Sequence, residues 1–267
     1  TNAQIKESLA DKKVQVASIG LSGEKISFMS GITTDDGRIA TRSGLGAVMG
    51  SKKLKAVSFR GTQDIPIADK AGTKAITKKF LADYKKSKGG DRFTLKIMGF
   101  LSKVIARTGL AVPASASVVR ELYKKYGTPG LTVISGMTGD TPIKNWTGVG
   151  YTDFTYDKLQ NIGGDKVISN QKKKYACQNC PLGCGGMLDI KKGRYAGTKG
   201  HKPEYEAWGA FGSMMLIDDY DAIVEMNEMC NRAGIDSIST GVTITFAVEC
   251  FEKGLIDEKT TGGLKLG

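Results

Sequence analysis

The feature that most constrains this chain is a cluster of three cysteines within eight residues, Cys177-Gln-Asn-Cys180-Pro-Leu-Gly-Cys184. Spacers of two and three residues let one tight loop direct its sulfurs at a common centre, and Gly183 and Gly185 permit the backbone angles that such a loop needs. The chain has five cysteines, an odd number, and their close spacing favours a metal site over disulfides. Thiolates are the usual ligands of [4Fe–4S] clusters, which normally take four.

The spacing leaves the metal and its fourth ligand open. Zinc also binds four thiolates, and the pattern favours iron–sulfur over zinc only weakly. Cys230 and Cys250 are candidates for the fourth ligand, but both fall in apolar helical patterns, where a buried free cysteine is an ordinary core residue. We therefore predict that Cys177, Cys180 and Cys184 are the metal ligands and that Cys230 and Cys250 are not.

Length and composition indicate a folded globular protein. The 267 residues suffice for one large or two ordinary domains, with 40% apolar and 25% charged residues. The longest nearly apolar stretch, residues 207–217, is much shorter than the roughly 20 residues of a membrane-spanning helix. The polar first residues do not fit a signal peptide. We expect a soluble, cytoplasmic protein that does not contact a membrane.

The net charge of +12 raises the question of nucleic-acid binding. Many lysines lie in amphipathic segments such as residues 70–88 or in the run of residues 172–174, and no motif interleaves basic and aromatic residues as nucleic-acid binders do. We therefore expect no nucleic-acid partner. A basic surface also suits an acidic electron carrier, because opposite charge speeds their encounter.

The order of the patterns predicts an α+β fold, with a short β portion at the N-terminus followed by a predominantly α-helical domain. β-like runs bounded by glycines predict strands at residues 14–19, 26–29 and 56–59. Helical periodicity and capping residues predict helices at residues 70–88, 118–126, 219–233 and 239–253. The last two helices are expected to pack through Ile223, Cys230, Ile244 and Val248.

Several segments together resemble the aldehyde:ferredoxin oxidoreductase family. In chain order they are GRIATRSGLGAVMGSKKLKA (residues 37–56), the cysteine cluster, KPEYE (202–206), AFG (210–212), DD (218–219) and NRAGIDSISTG (231–241). The resemblance covers the whole chain, whereas the chain covers less than half of a family member. It implies a tungsten held by two pterin dithiolenes, a tungsten-bis-pterin of the molybdopterin type, with a [4Fe–4S] cluster nearby.

The same resemblance implies the domain organisation. Residues 1–65 match the C-terminal part of the N-terminal pterin-binding β domain, and residues 66–267 match most of the first helical domain, which carries the cysteines. The fourth cluster ligand and the family's catalytic histidine match positions beyond Gly267. Residues 86–117 resemble an insertion specific to this protein.

Roles at single positions follow from the resemblance. Arg38, Ile39, Thr41 and Arg42 match a pterin-contacting segment, and a glycine-rich turn with two arginines suits an anionic phosphate. Ordinary surface arginines are the alternative. Asn231, Ile235 and Asp236 match the pterin motif D-x-x-G-L-D, with Asn231 in place of the first Asp and Ile235 in place of Leu. Here the alternative is a plain helix cap.

Glu206 matches a glutamate beside the tungsten that is proposed to act in catalysis, where a carboxylate can accept a proton. The alternative is an exposed glutamate at a helix start. Glu225 matches the glutamate of an E-x-x-H site for a dimer-bridging iron, but Glu228 stands in place of the histidine. We therefore expect no such iron and two solvent-facing glutamates. His201 is expected in a loop, and Trp208 and Phe211 in the core.

Three functions remain open. The first is part of an oxidoreductase that oxidises aldehydes to carboxylic acids at a tungsten-bis-pterin centre and passes electrons through a [4Fe–4S] cluster to ferredoxin, in a possible homodimer. The second is part of the tungsten subunit of an aromatic thioester reductase of the benzoyl-CoA type. The third is a catalytically inactive fragment with at most a structural metal site. Under each hypothesis we expect the chain alone to be inactive.

Overall fold

The computed structural model describes residues 1–34, 37–86 and 116–266. The elements before residue 60 are α1 (Asn2–Ser8), β1 (Gln15–Ile19), α2 (Leu21–Glu24), β2 (Ile32–Thr34), β3 (Arg38–Ala40), α3 (Leu45–Ser51) and β4 (Ala56–Phe59). The strands form an antiparallel sheet in the order β3-β2-β1-β4. In and just before β1, Val14, Val16 and Ile19 have buried side chains.

Two of the three predicted strands are confirmed, namely residues 14–19 and 56–59. The strand predicted at residues 26–29 is wrong. The backbone turns there instead, because the Ile26 amide donates to the Gly23 carbonyl at 3.0 Å and closes α2. Ile26 adopts φ +57°, and Phe28 is 89% exposed. The paired strand follows as β2, which the apolar run of residues 26–29 obscured.

The remaining elements are mostly helical. The helices are α4 (Lys70–Lys86), α5 (Ala116–Tyr126), α6 (Leu131–Thr138), α7 (Gly150–Asp153), α8 (Tyr156–Asn161), α9 (Gly164–Ser169), α10 (Tyr205–Phe211), α11 (Tyr220–Ala233) and α12 (Ser237–Glu252). A small antiparallel sheet joins β5 (Gln171–Tyr175), β6 (Gly185–Asp189) and β7 (Lys199–His201) in that order. The predicted α+β fold is confirmed. Residues 87–115, most of the predicted insertion, lie outside the described residues.

The small sheet was not predicted, for a physical reason. Strand prediction relies on alternating apolar residues, and β5 carries three exposed lysines, at positions 172–174. Lysine on an edge strand is compatible with the fold, because it discourages pairing with another chain.

The core lies in the helical part, around Trp208. This indole stacks on Tyr220 with ring centroids 5.3 Å apart, and its Nε1 donates to the Pro203 carbonyl at 3.1 Å. Trp208 and Phe211 are therefore core residues, as predicted. The buried cluster around them consists of Ile143, Phe154, Leu159, Ile162, Val167, Leu188, Ile190, Ile223, Val224 and Cys230.

The predicted helix at residues 219–233 is confirmed with its caps. The Asp219 carboxylate accepts the amides of Asp221 and Ala222, and Gly234 ends α11 at φ +67°. The next predicted helix is confirmed as α12, which begins at Ser237. Ile223 and Cys230 are buried as expected, but Ile244 is 41% exposed, so its predicted core position is wrong.

The reason is that α12 packs on α10 through small residues. A Cβ on Gly241 would lie 2.8 Å from the Ala210 Cβ, so the two helices approach closely on that face, which also carries buried Thr245. Val248 is half-buried. Several of the larger apolar side chains of α12, Ile244 among them, are consequently exposed.

The N-terminal sheet region docks on the turn between α11 and α12. The Gly31 amide donates to the Gly234 carbonyl at 2.8 Å, and the Asp236 amide donates to the Met29 carbonyl at 2.9 Å. Gly20 lies so close to the Ala233 carbonyl that a Cβ there would overlap it. Residues some 200 positions apart thus become neighbours. None of the helices in the described residues is long and apolar enough to cross a membrane.

Candidate cofactor cavity and cysteine loop

A cavity of about 530 Å³ opens at the junction of β3, the start of α10 and the turn between α11 and α12. We call it the cofactor cavity, since its volume falls in the range of small-molecule sites. Six of the seven residues that the sequence predicted to contact a pterin line it, namely Arg38, Ile39, Thr41, Asn231, Ile235 and Asp236. Although about 190 residues separate the two predicted segments, the fold brings them to one cavity.

The seventh residue, Arg42, lies at the edge of this group. Its Nε is 3.3 Å from Asp236 Oδ2, and the Arg42 side chain is 68% exposed. The ion pair is therefore well solvated and contributes little stability by itself. It nevertheless connects the two predicted segments directly.

Asp236 also caps α12. Its carboxylate accepts the Ile238 amide at 3.2 Å and the Ser239 hydroxyl at 2.6 Å. The plain capping role that the sequence left open is thus present. Asp236 also lines the cofactor cavity.

Glu204, rather than Glu206, faces the cofactor cavity. Its carboxylate lies 4.0 Å from Arg38 Nη1 and accepts a hydrogen bond from the Thr128 hydroxyl. Glu206 is exposed in the first turn of α10 and is absent from the residues that line the cavity. The catalytic role of Glu206 stays a prediction.

The three clustered cysteines lie in the connection between β5 and β6, residues 176–184, which we call the cysteine loop. Asn179 and Gly183 adopt positive φ angles of 61° and 58°, and the Cys180 amide donates to the Cys177 carbonyl at 3.0 Å. These turns give the compact loop that the spacing predicted. Cys230 is buried in the core and Cys250 is half-buried in α12, away from the loop in the chain.

The thiols in the loop differ in environment. The backbone amides of Gly183 and Leu182 hold the pKa of Cys180 below its ordinary value, because they stabilise a thiolate. Burial raises the pKa of Cys184. Among the described residues, no three His, Cys, Asp or Glu side chains are grouped as they would be around a metal ion. The donor set still suits iron–sulfur or zinc, since three soft ligands share one hairpin loop.

A second cavity, of about 730 Å³, lies between the cysteine loop and the cofactor cavity. We call it the loop cavity. It is lined by Cys177, Tyr175 and Lys173, and also by Arg38 and His201, which line the cofactor cavity too. Two side chains thus belong to both walls, so the two predicted cofactor sites are adjacent.

His201 was predicted to be a loop residue, and this is wrong. It ends β7, where its Nδ1 lies 2.6 Å from the Tyr175 hydroxyl. Arg38 stacks over the same tyrosine ring at 4.8 Å, and burial raises the pKa of Tyr175. A Cβ on Gly37 would approach the His201 ring at 2.5 Å, so glycine is required there.

Glu225 and Glu228 were expected to face solvent, and this is also wrong. Glu225 accepts a hydrogen bond from the Thr198 hydroxyl. Glu228 is half-buried beside Gly200 and lies 3.2 Å from the Arg232 Nε, and burial raises the pKa of its carboxyl. Both carboxylates therefore have partners that the helical periodicity did not reveal.

Sequence reasoning missed several residues of the two cavity walls, among them Tyr175, Lys202, Glu204 and Asn227. For Lys202 and Glu204 a signal existed, because both belong to the KPEYE segment. Tyr175 immediately precedes the cysteine loop, and Asn227 lies one helical turn before Asn231 on the same face of α11.

Two family models match this chain. The model of the aldehyde ferredoxin oxidoreductase N-terminal domain matches residues 1–61, and the model of domains 2 and 3 of the same enzyme matches residues 104–267. The chain belongs to the aldehyde ferredoxin oxidoreductase family. The match extends to both segments that form the cofactor cavity.

Two curated relatives support the same assignment. The tungsten-containing aldehyde ferredoxin oxidoreductase of Pyrococcus furiosus is 34% identical over 262 residues, and that of Thermococcus kodakarensis is 34% identical over 263 residues. Each alignment covers 98% of this chain and 37% of the relative. The chain therefore spans little more than a third of the length of these relatives.

A solved structure shares the fold. It is the active site complex BamBC of benzoyl coenzyme A reductase in complex with 1,5-dienoyl-CoA, which superposes with a TM-score of 0.66 at 23% sequence identity. The superposition covers 99% of this chain and 36% of that chain. At this identity the likeness establishes the fold alone.

Proposed function

We propose that the protein to which this chain belongs oxidises aldehydes to carboxylic acids and transfers the electrons to ferredoxin. Each turnover consumes an aldehyde and a water, and yields an acid, two protons and two electrons. The observation that supports this proposal most is the adjacency of the two predicted cofactor sites. Arg38 and His201 line both the cofactor cavity and the loop cavity beside Cys177.

The residues of the cofactor cavity suit an anionic, hydrogen-bonding cofactor. Arg38 and Lys202 present positive charge, and Asn227 and Asn231 present amide groups. We propose that Arg38, Ile39, Thr41, Arg42, Asn231, Ile235 and Asp236 contact a pterin of the tungsten-bis-pterin. When bound, this cofactor supplies the two-electron exchange with the substrate. The protein residues bind it, orient it and set the surrounding charge.

The cysteine loop is the proposed site of the [4Fe–4S] cluster. Cys177, Cys180 and Cys184 supply three of its thiolates, and the backbone amides around Cys180 favour the deprotonated form that a ligand needs. Glu206 is proposed as the proton acceptor in catalysis. A homodimer and a cytoplasmic location also stay predictions for the intact protein.

Metal analysis and activity of the intact, anaerobically purified protein test the proposal. We expect iron together with tungsten, and aldehyde-dependent reduction of ferredoxin. Molybdenum in place of tungsten would keep the reaction but change the metal. Zinc without tungsten or molybdenum, and no aldehyde oxidation, would contradict the proposal and favour a structural metal site.

The second candidate is an aromatic thioester reductase of the benzoyl-CoA type. It is favoured by the shared fold with the benzoyl coenzyme A reductase complex. Sequence identity favours the aldehyde hypothesis, since the more similar relatives are aldehyde ferredoxin oxidoreductases. Offering the intact protein an aldehyde and, separately, an aromatic acyl-CoA thioester with a strong reductant distinguishes the two.

A further inference from the structure

Lys202 is a buried cation to which the proposed function gives no part in electron transfer. The residue is only 4% exposed, and its ammonium donates to the Tyr126 carbonyl at 2.7 Å. Its backbone amide donates to the Gly186 carbonyl, which fixes the chain beside β6. A fully buried lysine is rare in proteins unless it is paired, because the charged form loses its hydration.

The ammonium lies against the cysteine loop. A Cβ on Gly127 would be 2.7 Å from both the Lys202 Nζ and the Cys184 carbonyl oxygen, so these two atoms flank the same glycine. Gly127 adopts φ +77°, which glycine alone tolerates readily. Lys202 also lines the cofactor cavity. The charge therefore sits between the two proposed cofactor sites.

Within the part of the chain that the structure describes, carboxylates offset the positive charge at this point only in part. The acid that offsets Lys202 most is Glu204, and that carboxylate also faces Arg38 and accepts a hydrogen bond from Thr128. Two cations thus share one carboxylate. The surplus positive charge is suited to an anionic group bound on either side of Lys202.

We infer that Lys202 is a positioning residue for redox chemistry, whose charge stabilises the reduced form of the iron–sulfur cluster held by the cysteine loop. The inference rests on the proposed function. A cluster with thiolate ligands carries a net negative charge and gains another on reduction. A fixed cation in buried surroundings therefore favours the reduced state and raises the reduction potential.

The test is a redox titration of the cluster in the intact holoenzyme, followed by the paramagnetic signal of the reduced form. Lys202→Gln and Lys202→Met remove the charge. At a fixed potential we expect each to lower the ratio of reduced to oxidised cluster at least tenfold, which equals about 59 mV for a one-electron couple. Lys202→Arg keeps the charge and should stay within threefold of the wild type.

Lys174→Gln is the matched control. Lys174 also donates to a main-chain carbonyl of α5, that of Lys124, and its charge also acts on Cys184. Its side chain is exposed, so solvent screens the charge, and we expect a change below threefold. A shift as large as that of Lys202→Gln would overturn the inference, because burial would then not matter.

The remaining outcomes are decisive as well. Loss of the cluster in both neutral variants but not in Lys202→Arg supports an electrostatic role. Loss in all three variants, or a retained cluster with unchanged potential in Lys202→Gln, overturns it and assigns Lys202 to packing. If the wild type itself holds no iron, the proposed function fails, and that result is distinct from a failure of this inference.

Discussion

Asp236 combines two roles that one substitution series separates. Its carboxylate caps α12 through the Ile238 amide and the Ser239 hydroxyl, and it also faces Arg42 and the cofactor cavity. Asp236→Ala removes every one of these contacts. Asp236→Asn keeps an oxygen that can cap the helix but removes the charge. We expect Ala to destabilise the start of α12 and Asn to leave it nearly unchanged.

The contacts of Asp236 set the size of the expected loss of stability. A lost N-cap costs about 0.5–2 kcal/mol, and a hydrogen bond to a buried charged acceptor contributes about 1.5–3 kcal/mol. The Arg42 pair adds at most about 1 kcal/mol, because the arginine is largely solvated. Since these terms overlap, we expect Asp236→Ala to cost about 2–4 kcal/mol locally and Asp236→Asn below about 1 kcal/mol.

Amide hydrogen exchange in the intact protein measures the local stability of α12. It reports the opening of one helix and does not require two-state unfolding of the whole protein. We expect the first turn of α12 to exchange at least about tenfold faster in Asp236→Ala, since 1.4 kcal/mol corresponds to a factor of ten. The pterin content of the same samples measures whether the cofactor cavity still holds the proposed cofactor.

Asp219→Ala is the matched control, because Asp219 caps α11 by the same geometry and does not line the cofactor cavity. It should loosen α11 without lowering pterin content. Equal exchange rates in Asp236→Ala and the wild type would refute the capping argument. Unchanged pterin content in both Asp236 variants would leave Asp236 a cap alone.

Two further predictions concern the proposed cofactors. Arg38→Ala and Arg42→Ala in the intact protein should each lower pterin and tungsten content, because a charge-assisted contact worth about 1.5–3 kcal/mol is lost; unchanged content in both variants would contradict the assignment. Serine at any of the three positions of the cysteine loop should remove or alter the cluster's iron and its reduced-state signal, whereas Cys230→Ser and Cys250→Ser should preserve both. Loss of iron on Cys230→Ser with retention on Cys184→Ser would refute the ligand assignment.

The sequence predicted those features of the fold that depend on residues within a single helix or loop. Asp219 and Gly234 bound α11 because a short acidic side chain and a left-handed glycine satisfy helix ends without help from elsewhere. The cysteine spacing predicted a compact loop for the same reason. The resemblance to the family then named residues from two distant segments, and the fold brings six of them to one cavity.

Contacts between distant segments could not be predicted in this way. The hydrogen bond between Tyr175 and His201 depends on the pairing of β5, β6 and β7, and the lysine-rich β5 carries no apolar alternation. The exposure of Ile244 depends on how closely α12 approaches α10, which Gly241 decides. The KPEYE segment draws attention to Lys202 but does not reveal its burial, which is a property of the packed elements alone.

The cofactor cavity exists only because the N-terminal sheet region docks on the turn between α11 and α12. Glycines at positions 20 and 234 allow the two backbones to make contact. The Gly31 amide donates to the Gly234 carbonyl, and the Asp236 amide donates to the Met29 carbonyl. The Ser22 hydroxyl adds a 2.8 Å hydrogen bond to the Gly234 carbonyl. These contacts are mostly backbone contacts, so they tolerate side-chain change as long as the glycines remain. Any cofactor that spans Arg38 and Asn231 therefore binds both parts at once and stabilises their docking.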